Sequence, residues 1–223
     1  MKSRLHHVFC ILLGVAAVFA SQHSSAQEPK YRLVEVGGRV SLEVPSHWYL
    51  ADLEERKNNA RLPDGMESAA GEKLGPARLA TLVVRPKPDP ASARVMVFFV
   101  ENWNESQSDL REALRSNRTR TMQAVTDAFH EDMTGAAKMF AKQGVTLLGQ
   151  EAVATDSIGG AIAFTLTYRR KPSGTKDDSP LTEIQYHVPM GTQKIIITFS
   201  YRESEARLLR PILDRVRRSV AIQ

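Results

Sequence analysis

The sequence predicts an α+β fold: a three-layer α/β/α arrangement with a mostly antiparallel central sheet, one long helix between two groups of strands, and a C-terminal helix. Three observations predict it. Apolar and polar residues alternate in several short segments, as over 34–44, the pattern of half-buried strands. Over residues 109–143 the apolar spacing changes to three and four, that of one helix face. The segments after 144 are joined by short turn-rich connections, which suit antiparallel neighbours.

Val34 and Val36, then Gly37-Gly38, then Val40, Leu42 and Val44 read as a hairpin around a two-glycine turn, since glycine tolerates the positive φ required there. Pro45 and Trp48 end it, because proline cannot donate to a ladder. Residues 51–76 are charged and glycine-containing with no clear period, an irregular excursion with a short helix near 52–58. Strands at 78–85 and 93–100 follow, separated by Pro86, Pro88 and Pro90. Residues 94–100 are apolar on both alternating faces, the pattern of a central strand covered on two sides.

In the long helix Leu110, Leu114, Thr121, Met122, Val125, Phe129, Met133, Ala136 and Phe140 form one stripe, with Ser108 as N-cap and Gly144 as stop. A straight helix of that length would reach about 52 Å, longer than the strands beneath it, so a break is expected near Ser116-Asn117 or Gly135. Strands at 145–154, 161–171, 181–188 and 194–201 come next, separated by turns at 156–160, 172–180 and 189–193. A helix at 204–219 closes the chain, apolar at Leu208, Leu209, Ile212, Leu213 and Val216, and Pro211 is expected to kink it or mark a restart. Met122, Met133 and Met139 read as core filler.

The amino terminus has the layout of a secretion signal over residues 1–26. Lys2 and Arg4 stand without an acid, an apolar run extends from Val8 to Ala20, and a small-residue stretch ends at Ala26, the expected cleavage position, with Ala20 as the other. As a helix the apolar run spans about 20 Å against a bilayer core of about 30 Å, so no retained anchor is expected. Residues 27–223 then form a single α+β domain. Cys10 leaves with the signal, and the mature chain has no thiol for a disulfide, a metal or a nucleophile. Cys10 also lies too early in the apolar run for lipid attachment. The formal charge of +5 falls by two with Lys2 and Arg4, an excess too small for a nucleic-acid footprint.

The chemistry-bearing residues are sparse. His130 with Asp127, Glu131 and Asp132 could place imidazole and carboxylates on one helix face, but a metal site needs a second cluster, and these read as a solvated face. No G-x-S-x-G surrounds a serine, and Ser173 and Ser200 have no activating context. Glu183, Gln185 and His187 share one side of a strand and could line a shallow polar pocket, although solvent-facing strand positions are the plainer account. Trp48 reads as a cap on the core, whereas Trp103, flanked by polar residues, could anchor a partner, with core or edge packing as the plainer account. Arg207, Arg210, Arg215, Arg217 and Arg218 crowd the last helix, and Arg169-Arg170-Lys171 end a strand. The helix dipole favours such placement, and the sharper reading is a patch for an acidic partner or anionic headgroups. Trp103, Arg169, Arg170, Arg217 and Arg218 are thus the candidate partner-binding residues. Asn104 and Asn117 begin glycosylation sequons that matter only in a eukaryotic host.

The opening strand and stop, Val40-Ser41-Leu42-Glu43-Val44-Pro45-Ser46-His47-Trp48, and the closing Leu213-Asp214-Arg215-Val216-Arg217-Arg218-Ser219-Val220 resemble, in this order of elements, the PsbP-like fold and its exported bacterial DcrB-like relatives. The resemblance runs from about Tyr31 to the end. It implies a non-catalytic adaptor-type domain that binds other proteins, and it transfers no functional residue. The expectation is therefore an exported accessory or protein-binding domain of the cell envelope, periplasmic or secreted. An envelope protein is its expected partner, with weak membrane-surface contact and no nucleic acid. No catalytic residue, cofactor or metal is assigned. The alternatives are a hydrolase-type enzyme with an unrecognised polar pocket, and a peripheral binder of anionic membrane surfaces.

Overall fold

The structure, a computed structural model, describes residues 29–60, 80–86, 92–142, 144–171 and 179–223. The expected signal, residues 61–76 of the excursion and residues 87–90 of the proline crossing lie outside them.

The first hairpin joins β1 (Tyr31–Val36) to β2 (Val40–Pro45). Gly37 and Gly38 have φ of +59° and +66°, the left-handed region that glycine enters without strain. Val36 stands opposite Val40, so the loop also contains Arg39 and is one residue longer than a two-glycine turn. Gly37 has a second role, since a Cβ there would meet the Phe99 ring at 2.8 Å. β11 (Ala221–Ile222) pairs with the other edge of β2 and completes a three-stranded sheet.

The larger sheet has eight strands among the described residues. They are β3 (Tyr49–Leu50), β4 (Leu82–Arg85), β5 (Ala93–Glu101), β6 (Thr146–Gln150), β7 (Ala154–Ile158), β8 (Ala161–Lys171), β9 (Leu181–Pro189) and β10 (Gln193–Arg202). Their order is β3-β4-β5-β10-β9-β8-β6, with β7 also on β8, and every pairing is antiparallel. Four departures from the sequence reading appear here. β3 and β11 have two residues each, too few to show a period. Ala154–Ile158 is a strand rather than the start of a turn, because its polar Asp156 and Ser157 face outward from an edge of β8. β5 is central in the ladder, yet only its Ala93, Val95 and Val97 face is fully buried, while Arg94, Met96 and Phe98 keep some exposure.

Two layers cover the sheet. On one face β2, β5, β9 and β10 bury Leu42, Val44, Val95, Val97, Val188, Ile195 and Ile197 against α3 (Ala206–Ser219), which contributes Leu209, Leu213 and Val216. A short 3₁₀ turn, Glu203–Glu205, leads into α3. The helix continues through Pro211 without the expected restart, since that residue lies on its exposed side, where the carbonyl it leaves unbonded can reach water. On the other face α2 (Gln107–Lys142) packs on β6, β8 and β9, with Leu110, Met133 and Ala136 buried against Phe164, Leu166 and Tyr168. α1 (Leu53–Ala60) starts at Asp52, whose carboxylate accepts a 2.8 Å bond from the Glu55 N–H.

The break expected in α2 falls at Asn117, with φ −157° and ψ 82°. Asn117 Oδ1 accepts from the Arg120 N–H at 3.0 Å and so caps the second segment. At the amino end the cap is Ser106, two residues earlier than Ser108. Its N–H donates to Asp109 at 2.8 Å while the Asp109 N–H donates back to its hydroxyl at 3.2 Å, a reciprocal box. Next in line, Gln107 fastens the helix to the sheet. Its amide donates to the Ile162 and Pro189 carbonyls at 2.9 and 3.0 Å and accepts from the Ile162 N–H at 2.8 Å. Gln107→Ala strands three backbone groups at a half-buried site, and urea unfolding is expected to show a loss of about 2 kcal/mol. A loss within 0.5 kcal/mol, roughly the ordinary surface value, would mean that the contact is dispensable.

Candidate functional site

On β9 the side chains of Glu183, Gln185 and His187 point to the α2 side; Glu183 and His187 are buried and Gln185 is half-buried, rather than solvent-facing. The register puts Tyr168 opposite Glu183, Leu166 opposite Gln185 and Phe164 opposite His187 on β8. On β10, Ser200, Thr198 and Ile196 stand opposite the same three. A polar row thus crosses an otherwise apolar layer. Such a row persists only if its members satisfy one another.

Glu183 is the centre of that row. Its Oε2 accepts from the Tyr168 hydroxyl at 2.6 Å and its Oε1 accepts from Arg170 Nε at 2.6 Å. Burial alone would push the Glu183 carboxyl up, but Arg170, the Tyr168 hydroxyl and Arg94 outweigh it and hold it below the ordinary glutamate value. Tyr168 is driven the other way, well above the usual phenol range, first by burial and then by the adjacent carboxylate. Burial opposes the charge on Arg170, yet Glu183 more than compensates and keeps that guanidinium protonated. The Gln185 amide donates to the Tyr168 oxygen at 3.3 Å, its carbonyl lies 3.0 Å from His187 Nε2, and the Phe129 ring meets the His187 ring edge-on at 4.6 Å. A carboxylate this stabilised is a weak base and a phenol this destabilised as an anion is a weak acid. The arrangement fastens strands; it does not poise a proton.

The remaining candidates are scattered. Arg170 is part of this buried tie, and Arg169 forms a fork on Glu203 at 2.5 and 2.7 Å at the surface. Arg217 lies 3.6 Å from Asp156, and Arg218 is exposed. Trp103 is partly buried under the Lys194 ammonium, 3.6 Å from its ring, so it is not a freely projecting anchor. Trp48 is buried in the core. His130, Asp127, Glu131 and Asp132 are exposed, and among the described residues no three or more His, Cys, Asp or Glu side chains are placed to hold a metal. A shallow depression of about 360 Å³ lies among Arg32, His47, Trp48 and Tyr49, where Arg32 donates to the Trp48 carbonyl at 2.8 Å. Ser200 is buried, and Ser173 lies outside the described residues.

One side of α3 also faces outward. Leu209, Leu213 and Val216 fix the helix to the core, which turns Arg207, Arg210, Arg215 and Arg218 to solvent together with Asp214, and Leu208, 67 % exposed, lies at the margin of that face. Arg215 stacks 3.8 Å from the Tyr31 ring centre and stands 3.9 Å from Glu43. Sequence reasoning saw these arginines. It missed Tyr168 and Arg94, whose only signal was a charged or hydroxyl-bearing residue at an inward position of a strand.

No protein-family model and no curated protein sequence matches this chain. Among solved structures, it is similar to the cyanobacterial PsbP, CyanoP, of Synechocystis sp. PCC 6803, with 14 % identity and a TM-score of 0.46 over 89 % of this chain and 95 % of that one. LpqN of Mycobacterium tuberculosis, described as involved in cell envelope biogenesis, aligns at 12 % identity and TM-score 0.42, covering 88 % and 92 % of the two chains. The Saccharomyces cerevisiae Ran-binding protein Mog1p aligns at 12 % identity and TM-score 0.40, covering 87 % and 96 %. The likeness is one of fold, and no residue's role follows from it. Among the described residues no helix is long and apolar enough to cross a membrane.

The buried tie has a pH consequence. The folded-state pKa of Glu183 lies below its unfolded value, so its contribution is complete above the ordinary glutamate pKa and is lost as pH falls through the folded value. Glu183→Gln, which leaves Arg170 and Arg94 without their counter-charge, is expected to cost about 3 kcal/mol at neutral pH and to flatten the acid limb of the stability curve. Equal acid sensitivity in both proteins would show that the carboxylate contributes nothing.

Proposed function

We propose that this chain is an exported, non-catalytic accessory domain of the cell envelope that engages an acidic partner protein through the outward face of α3. The observation that carries the reading is the arginine face itself: Arg207, Arg210 and Arg218 are exposed on a helix locked by its apolar side, with an exposed Leu208 at the margin of that face. Arginine presents a planar fork that matches carboxylates in pairs, and an exposed apolar residue beside such charges adds contact area for a partner. The apolar side of α3 is already used by the core and is not available for insertion into lipid, which favours a protein over a bilayer. The committed state of Glu183 and Tyr168 supports a binding role over the hydrolase alternative. Export rests on the signal-like residues 1–26, with Gln27 as the expected first residue of the mature chain.

A photo-reactive residue in place of Leu208 tests the proposal in cells. One discrete protein adduct in the envelope fraction is expected, and it should disappear when Arg207, Arg210 and Arg218 are changed together to Glu. An adduct to lipid alone, or a protein adduct indifferent to the three reversals, would contradict the proposal.

A further inference from the structure

Among the described residues, four guanidinium groups belong to the sheet face that carries Glu183: Arg85 on β4, Arg94 on β5, Arg170 on β8 and Arg202 on β10. Arg85 is paired with Glu55 of α1, and Arg170 with Glu183. Arg94 has no such partner among the described residues. Its Nη1 lies 3.9 Å from the Met96 sulfur, a weak contact, and it feels Glu183 only through space. A guanidinium on a desolvated sheet face without a direct oxygen partner is costly.

The next rung supplies a second polar group without a partner. Thr198 stands opposite Met96, is 1 % exposed, and has a buried hydroxyl oxygen with no hydrogen bond among the described residues. The contact of Arg94 with Met96 directs the guanidinium along the strand toward that rung. One rung further Phe98 stands opposite Ile196, and Met96, Phe98 and Ile196 all retain partial exposure. The strip runs between two helices, bounded by the Arg85–Glu55 pair on the α1 side and by the Phe129–His187 contact on the α2 side. One end of it offers a cation and a hydroxyl, and the rest is apolar.

We infer that this strip binds a carboxylate carried on an apolar body, of which a medium-chain fatty acid is the simplest case. Arg94 and Thr198 take the carboxylate oxygens, and Met96, Phe98 and Ile196 take the chain. A small hydrophilic anion would leave the apolar end uncovered, and a neutral amphiphile would leave Arg94 without a direct oxygen partner. The site is separate from the arginine face of α3.

The test is calorimetric titration of the full chain with sodium octanoate, and with acetate, inorganic phosphate and octanol at matched ionic strength. Octanoate is expected to bind, with acetate, phosphate and octanol each weaker by about tenfold or more, a factor that one lost charge-assisted or apolar contact supplies. Arg94→Met should weaken octanoate by about tenfold or more and Thr198→Val by about threefold, on the same scale. Thermal midpoints measured without ligand check that each variant folds, since Arg94 also faces Glu183 through space. Absent octanoate binding, equal binding by a folded Arg94→Met, or preference for phosphate or octanol would overturn the inference.

Discussion

One buried carboxylate organises the α2 side of this protein. Glu183 is buried near the start of β9, and placing a charge there costs several kcal/mol unless neighbouring groups answer it. Tyr168 and Arg170 do so from β8, which fixes the β8–β9 register as firmly as the backbone ladder does. A slip of one residue would turn Glu183 toward the valine and isoleucine core on the opposite face. Gln185 and His187 extend the same row toward α2, where Phe129 meets the imidazole. The long helix is therefore positioned by a polar row as well as by its apolar stripe.

That arrangement also limits the chemistry. Acid–base catalysis needs a group whose proton is available near the working pH, and the cluster moves Glu183 and Tyr168 away from that range in opposite directions. The arginines exposed on α3 lie on the opposite side of the sheet from that cluster.

The architecture was legible because it depends on periodicity. The helix stripe from Leu110 to Phe140, the break at Asn117 and the alternation in β8, β9 and β10 all follow from which residues must face the core. Elements shorter than a period, β3 and β11, were not legible, nor was β7, whose polar residues on an edge look like a turn. The candidate site was half legible. Glu183, Gln185 and His187 were recognised as one polar side of a strand, but their burial depends on α2 lying over them, a long-range fact with no local signature. Arg170 was grouped with Arg169 as a basic surface pair, yet adjacent strand residues point to opposite faces, and the two meet different carboxylates, Glu183 inside and Glu203 outside.

The most direct test of this account is a carbon-13 NMR titration of the Glu183 carboxyl, assigned by comparison with Glu183→Gln. A midpoint below the ordinary glutamate range is the expected result, as for a carboxylate held by Arg170 and Tyr168. A midpoint above that range would mean that burial prevails over the ion pair, and the same residue would then have to be considered as a proton donor.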